Sequence, residues 1–240
     1  MEDLRRLGGE AGVLAGVAMA WLFLGFVVLF PSAGLNLVDQ GNPHRYLPFI
    51  ARHASMFWVV NILGALVAGL LSAVVYMALH DRFKDESPAT ARIGSFAGTM
   101  GAAAFAAAAL VRHTGFGWLS TIYATNGVGA AHAFYAVSTV AGSFMGLGNV
   151  MAGLGILLFG RVMQRHPRYN SLGYLSMGAG TVMVLAGFVT HPFSFAVSTI
   201  SAMAWFTRTA LALRAEAGPA LFRWGTAKSR ANGRAQRRVA

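Results

Sequence analysis

The chain has 240 residues, 56% apolar and 11% charged, with a mean hydropathy of +0.56. A soluble domain carries about 25% charged residues, so this balance excludes an ordinary soluble fold and predicts a membrane-embedded one. No cysteine is present, which excludes disulfides, thiolate metal sites and thiol catalysis.

A helix needs about 20 mainly apolar residues to cross a hydrocarbon core of about 30 Å, and six stretches qualify. The first, Ala11–Phe30, exceeds the length of a signal-peptide core and lacks a following A-x-A site, which predicts an uncleaved first span. Pro31 and Gly34 stop it, and a polar outer segment, Leu35–Ser55, follows. The second span is Phe57–Leu79, ended by the charged cluster HDRFKDESP. The third, Ile93–Val111, is almost all Gly, Ala and Phe, and a Gly- and aromatic-rich connection, Arg112–Gly127, leads onward. The fourth, Ala130–Gly160, is too long to lie wholly in hydrocarbon, so its ends must project or tilt. The fifth is Ser171–Val189; Thr190-His191-Pro192 makes a tight turn into the sixth, Phe193–Leu213. The expected fold is therefore an all-α, six-span transmembrane bundle over residues 1–213, with a basic tail over 214–240.

Orientation follows from counting Lys and Arg, which concentrate on the cytoplasmic side. With the N-terminus inside, 16 lie inside and three, Arg45, Arg52 and Arg112, outside. Both termini are thus expected in the cytoplasm. Tyr46, Trp58, Trp118, Tyr123 and Tyr135 near the outer ends suit an interfacial aromatic belt. The formal charge of +11 belongs to this pattern rather than to nucleic acid. In the tail, Arg223, Lys228, Arg230, Arg234, Arg237 and Arg238 suit anionic lipid or an acidic partner subunit. The cations are nearly all arginine, which with the Ala and Gly load suggests a GC-rich bacterial genome. A 79-residue offset pairs Arg82 with Arg161, Pro88 with Pro167 and Gly94 with Gly173, a weak sign that one hairpin repeats.

Charged residues at membrane depth are the usual functional suspects, and no Asp or Glu lies inside any span. Two asparagines are embedded. Asn61 and Asn149 serve either as interhelical packing contacts or as polar groups in a ligand pocket. Five of the seven histidines fall on the outer side, and four of them, His53, His113, His132 and His191, flank different helix ends. Their convergence would make a metal or haem site, although no HxxxH or HExxH spacing occurs. Contact with lipid headgroups is the favoured account of them. Gly12/Gly16, Gly94/Gly98 and Gly142/Gly146 have the small-xxx-small spacing of close helix contacts. No nucleotide loop or serine-nucleophile elbow is present, so no catalytic residue and no cofactor is expected.

An Arg-x-x-Gly start at Arg6-Leu7-Gly8-Gly9 precedes the polar outer loop. A late hairpin then carries Gly155, Leu157, Leu158, Arg161, Pro167, Arg168, Leu172 and Gly173, with Gly178 and Gly180 beyond. In this order of features the chain resembles a bacterial six-helix membrane family known as domain of unknown function 4386. The resemblance implies six helices and supplies no catalytic residues. Three readings follow for a bacterial inner-membrane protein. The leading one is a non-catalytic accessory or scaffold subunit of a larger assembly. The second is a permease or binding protein for a small neutral or lipidic molecule held by Asn61 and Asn149. The third is a haem or metal protein using the outer histidines.

Overall fold

The computed structural model describes residues 2–189 and 192–217. His191 and the polybasic tail residues lie outside them. Seven helices organise the described chain: α1 (Asp3–Ser32), a short α2 (Pro43–Arg52), α3 (Ala54–Phe83), α4 (Pro88–Ile122), α5 (Gly127–Gln164), α6 (Asn170–Ala186) and α7 (Pro192–Ala217). No strand occurs among the described residues. Four helices, α1, α3, α4 and α5, are long and apolar enough to cross a membrane by length and composition.

Short connections make consecutive long helices antiparallel neighbours. α1 also packs along α7, so α1, α3, α4, α5, α6 and α7 close into a ring in that order. Small residues bring the helices together. A Cβ on Gly12 would lie 2.8 Å from the Ala210 Cβ, and one on Gly155 would lie 2.8 Å from the Gly94 carbonyl oxygen. Gly142 departs from the expected contact pattern: no atom lies within 4 Å of its would-be Cβ. It faces a cavity instead.

At the end carrying the N-terminus, aromatic side chains fill the ring. Tyr76 stacks on Trp205 at 5.7 Å, and Phe159 and Phe206 flank it. The stacked pair satisfies its own polar atoms: the Trp205 Nε1–H donates to Ser176 Oγ at 2.8 Å, and Tyr76 OH donates to the Ala152 carbonyl at 3.2 Å. Ion pairs cap this end. Asp81 pairs with Lys84 at 2.7 Å and Arg5 at 3.4 Å. Arg82 Nε donates to both Glu216 oxygens, at 3.1 and 2.9 Å, and its guanidinium lies 5.4 Å from the Tyr169 ring centre. Burial of Tyr169, reinforced by the Glu216 carboxylate, pushes its hydroxyl up to about 12.

Several boundaries differ from the sequence expectation, α1 starting at Asp3 rather than Ala11 among them, and three of the differences have a visible cause. The sixth long helix runs past Leu213 to Ala217, because Glu216 is held by Arg82. The connection expected over Arg112–Gly127 is helical up to Ile122, because Phe116 and Leu119 bury against α2 and α5. The polar segment after α1 also folds. Gly34 adopts φ +96°, and the Leu35 N–H bonds back to the Phe30 carbonyl at 2.9 Å in a Schellman stop. Asn42 then caps α2 by accepting from the His44 N–H at 3.0 Å, and Pro43 sets its first turn. Tyr46, Leu47, Phe49 and Ile50 form the buried face of α2.

Candidate functional site: a cavity within the helix ring

At the end opposite the aromatic plug the ring lines a half-open cavity of about 290 Å³, near the lower limit for small-molecule sites. Every long helix contributes to its wall. α1 supplies Leu22 and Phe26, α3 supplies Asn61 and Ala65, and α4 supplies Ala109 and Arg112. α5 adds Gly142, Met145, Gly146 and Asn149; α6 adds Ala186, with Gly187 just beyond its end; α7 adds Ser194 and Phe195. Leu37, Gln40 and Gly41, from the segment between α1 and α2, bound it on the loop side. An apolar extension of about 60 Å³ continues between Met19, Phe105, Met183 and Ala202. A neighbouring cavity of about 250 Å³ shares Gln40, Arg112 and Gly142 and reaches Phe134 and Tyr135.

The backbone is irregular here. α1, α3 and α4 each contain a π-helical turn, at Gly25–Leu29, Val60–Leu66 and Arg112–Phe116. Each turn puts a residue on the cavity wall: Phe26, Asn61 and Arg112. An i→i+5 turn inserts a residue into the helical register and re-aims the side chains around it, which is why such turns concentrate at functional sites.

The polar wall is sparse. Asn61 is 1% exposed and donates through Nδ2 to the Phe57 carbonyl at 3.0 Å. Asn149 is 6% exposed, and its side-chain amide, open to the cavity, makes no hydrogen bond among the described residues. Gln40 donates to the Phe26 carbonyl at 3.3 Å. Arg112 donates from Nη2 to Tyr46 OH at 3.1 Å, and its guanidinium lies over the rings of Phe26 at 5.0 Å and Phe116 at 5.7 Å. Its Nε is buried without a partner, and no carboxylate pairs with it among the described residues.

The structure thus brings Asn61 and Asn149 to one cavity. The histidines are arranged differently. His53 packs on Phe49 at 4.7 Å, His113 stacks on Phe57 at 6.1 Å, and His132 is exposed on α5. Among the described residues no three His, Asp or Glu side chains meet in a way that could hold a metal. His191, Arg223, Lys228, Arg230, Arg234, Arg237 and Arg238 lie outside the described residues. Tyr46, expected at the membrane interface, is buried at 1% exposure, because Phe57, Phe116 and Phe134 surround its ring and Arg112 holds its hydroxyl. Sequence reasoning missed Arg112 and Gln40 as wall residues. The available signal was Arg112 itself, a lone cation at a span end with no acid near it in sequence.

A ring of apolar helices enclosing a partly polar cavity defines an integral membrane protein of the helix-bundle class. The chain belongs to the family described as a domain of unknown function, DUF4386, whose family model matches residues 11–226. No curated protein and no solved structure matches it.

Proposed function

We propose that this is a binding protein or permease for a small molecule, with the ligand held in the ring cavity between Asn61 and Asn149. Asn149 carries the proposal. Its side-chain amide makes no hydrogen bond among the described residues, and its polar atoms are open to the cavity rather than sealed, where a ligand can reach them. A ligand occupying the cavity completes it. The aromatic plug on Tyr76 and Trp205 closes the other half of the ring, so the site is a pocket reached from one end.

The finer topology belongs to the same proposal: six spans in a bacterial inner membrane, both termini cytoplasmic and the cavity towards the outer face. Its support is the distribution of Lys and Arg, 16 on the inner side against three on the outer. Binding is tested by purifying the protein in a mild neutral detergent and identifying retained small molecules by native mass spectrometry. The expected result is a stoichiometric adduct that Asn149→Leu loses while staying folded. An adduct held equally by Asn149→Leu, or none on the wild type at any added ligand, contradicts the proposal.

A further inference from the structure

We infer that the ligand is a compact organic anion, with a carboxylate or phosphate head at Arg112 and an apolar body towards Phe105 and Met183. The inference rests on the cavity reading above and adds its charge. Three observations carry it. Arg112 lines both the 290 Å³ cavity and the adjoining 250 Å³ one, and no Asp or Glu among the described residues lines either. Its charge is unbalanced. Phe26 and Phe116 cover the guanidinium and the Tyr46 hydroxyl takes one N–H, all neutral partners, while Nε has none. Arg112 is half-buried, with its Nε out of reach of water; a cation drawn partly out of water gains from an anionic partner, and a guanidinium fork matches carboxylate or phosphate oxygens.

The second observation is fixation. Burial of Tyr46 and the two ring faces hold the guanidinium in one place, so little side-chain entropy remains to be lost on binding. The third is polarity along the cavity. Gln40, Asn61 and Arg112 lie on the main chamber alone and Asn149 on both, whereas the 60 Å³ extension has only Ser198 and Thr199 besides it among apolar residues such as Met19, Phe105, Met183 and Ala202. A head that accepts hydrogen bonds and a small apolar body match that gradient. A neutral ligand would leave the Arg112 charge unmatched.

The test compares matched probes on the full chain in dodecyl maltoside: benzoate and phenyl phosphate against benzamide, with binding read by calorimetry. The anions are expected to bind more tightly by on the order of tenfold or more, the difference between a charge-assisted and a neutral hydrogen bond. Arg112→Gln is expected to lose that preference and Arg112→Lys to keep part of it. If benzamide binds as well as benzoate to the wild type, the anion inference is overturned while the cavity reading stands. If no probe binds, and a neutral fluorescent apolar probe does not either, both are overturned. The wild-type comparison decides even if Arg112→Gln does not fold. A parallel arm in phosphatidylglycerol and phosphatidylcholine nanodiscs distinguishes the source of the anion. Retention of phosphatidylglycerol alone assigns the head to an anionic lipid. Retention of neither lipid, with benzoate or phenyl phosphate binding, assigns it to a free small molecule.

Discussion

The Arg82–Glu216 pair joins the end of α3 to the last turn of α7, and its removal has a calculable cost. Both side chains are largely buried, 13% and 12% exposed, with Arg82 Nε 2.9 Å from the nearer Glu216 oxygen. Breaking one side of a buried pair costs about 3–5 kcal/mol, because the other charge stays buried without its partner. Arg82 keeps a second acceptor in Glu86 and Arg168 lies 3.9 Å from Glu216, so the lower bound applies, about 3 kcal/mol. For a chain of this size 1 kcal/mol moves Tm by about 2–4 °C. Glu216→Gln is therefore expected to lower Tm by about 6–12 °C, read by intrinsic tryptophan fluorescence during heating in dodecyl maltoside. The double variant Arg82→Met/Glu216→Leu is expected to regain much of the loss, since no buried charge is then left unpaired, and Glu86 and Arg168, which lose a partner, are exposed to solvent. A Glu216→Gln protein melting within 2 °C of the wild type, or a double variant as unstable as the sum of its parts, would refute the reasoning.

Other expectations follow from single positions. A Cβ on Gly155 would meet the Gly98 Cα at 2.9 Å, a backbone atom that cannot rotate away, so Gly155→Ala is expected to cost about 1–3 kcal/mol in thermal melts. Gly142→Ala has open space around it and should instead stabilise α5, by up to about 1 kcal/mol. Gly34→Ala forces a side chain into φ +96° and is expected to cost about 1–2 kcal/mol, seen as faster proteolysis of the loop after α1. Tyr169 titrates near 12 in the fold against about 10 when unfolded. Its contribution is full below pH 10 and is lost as pH rises through 12. Tyr169→Phe should flatten the fall in Tm over that window; an identical fall in both proteins rules out Tyr169 as its source.

Much of the fold was legible because the bilayer imposes a simple rule: long apolar stretches become helices and charge marks their ends. The six stretches of the sequence reading correspond to α1, α3, α4, α5, α6 and α7. Legibility failed where tertiary contacts override local pattern. Arg112–Gly127 looks like a loop by its Gly and aromatic content, yet Phe116 and Leu119 bury and carry the helix on to Ile122. Glu216 looks like part of a solvated tail until Arg82, 134 residues away in sequence, is beside it. The cavity was half legible. Embedded asparagines stand out in an apolar sequence, and Asn61 and Asn149 do share a wall. Arg112 did not stand out, because an arginine at a span end reads as a topology signal. Only the π-helical turn and the covering rings of Phe26 and Phe116 make it part of the cavity.

The most direct test of the central proposal uses the absence of cysteine in the chain. Gly142→Cys places one thiol on the cavity wall, and Ile156→Cys places one at a fully buried position, 0% exposed. In intact cells, a membrane-impermeant maleimide is expected to label Gly142→Cys and leave Ile156→Cys unmodified, with added benzoate slowing the labelling. Gly142→Cys that reacts only after the cells are lysed, or at a rate that no added small molecule changes, would contradict an outward-facing binding cavity.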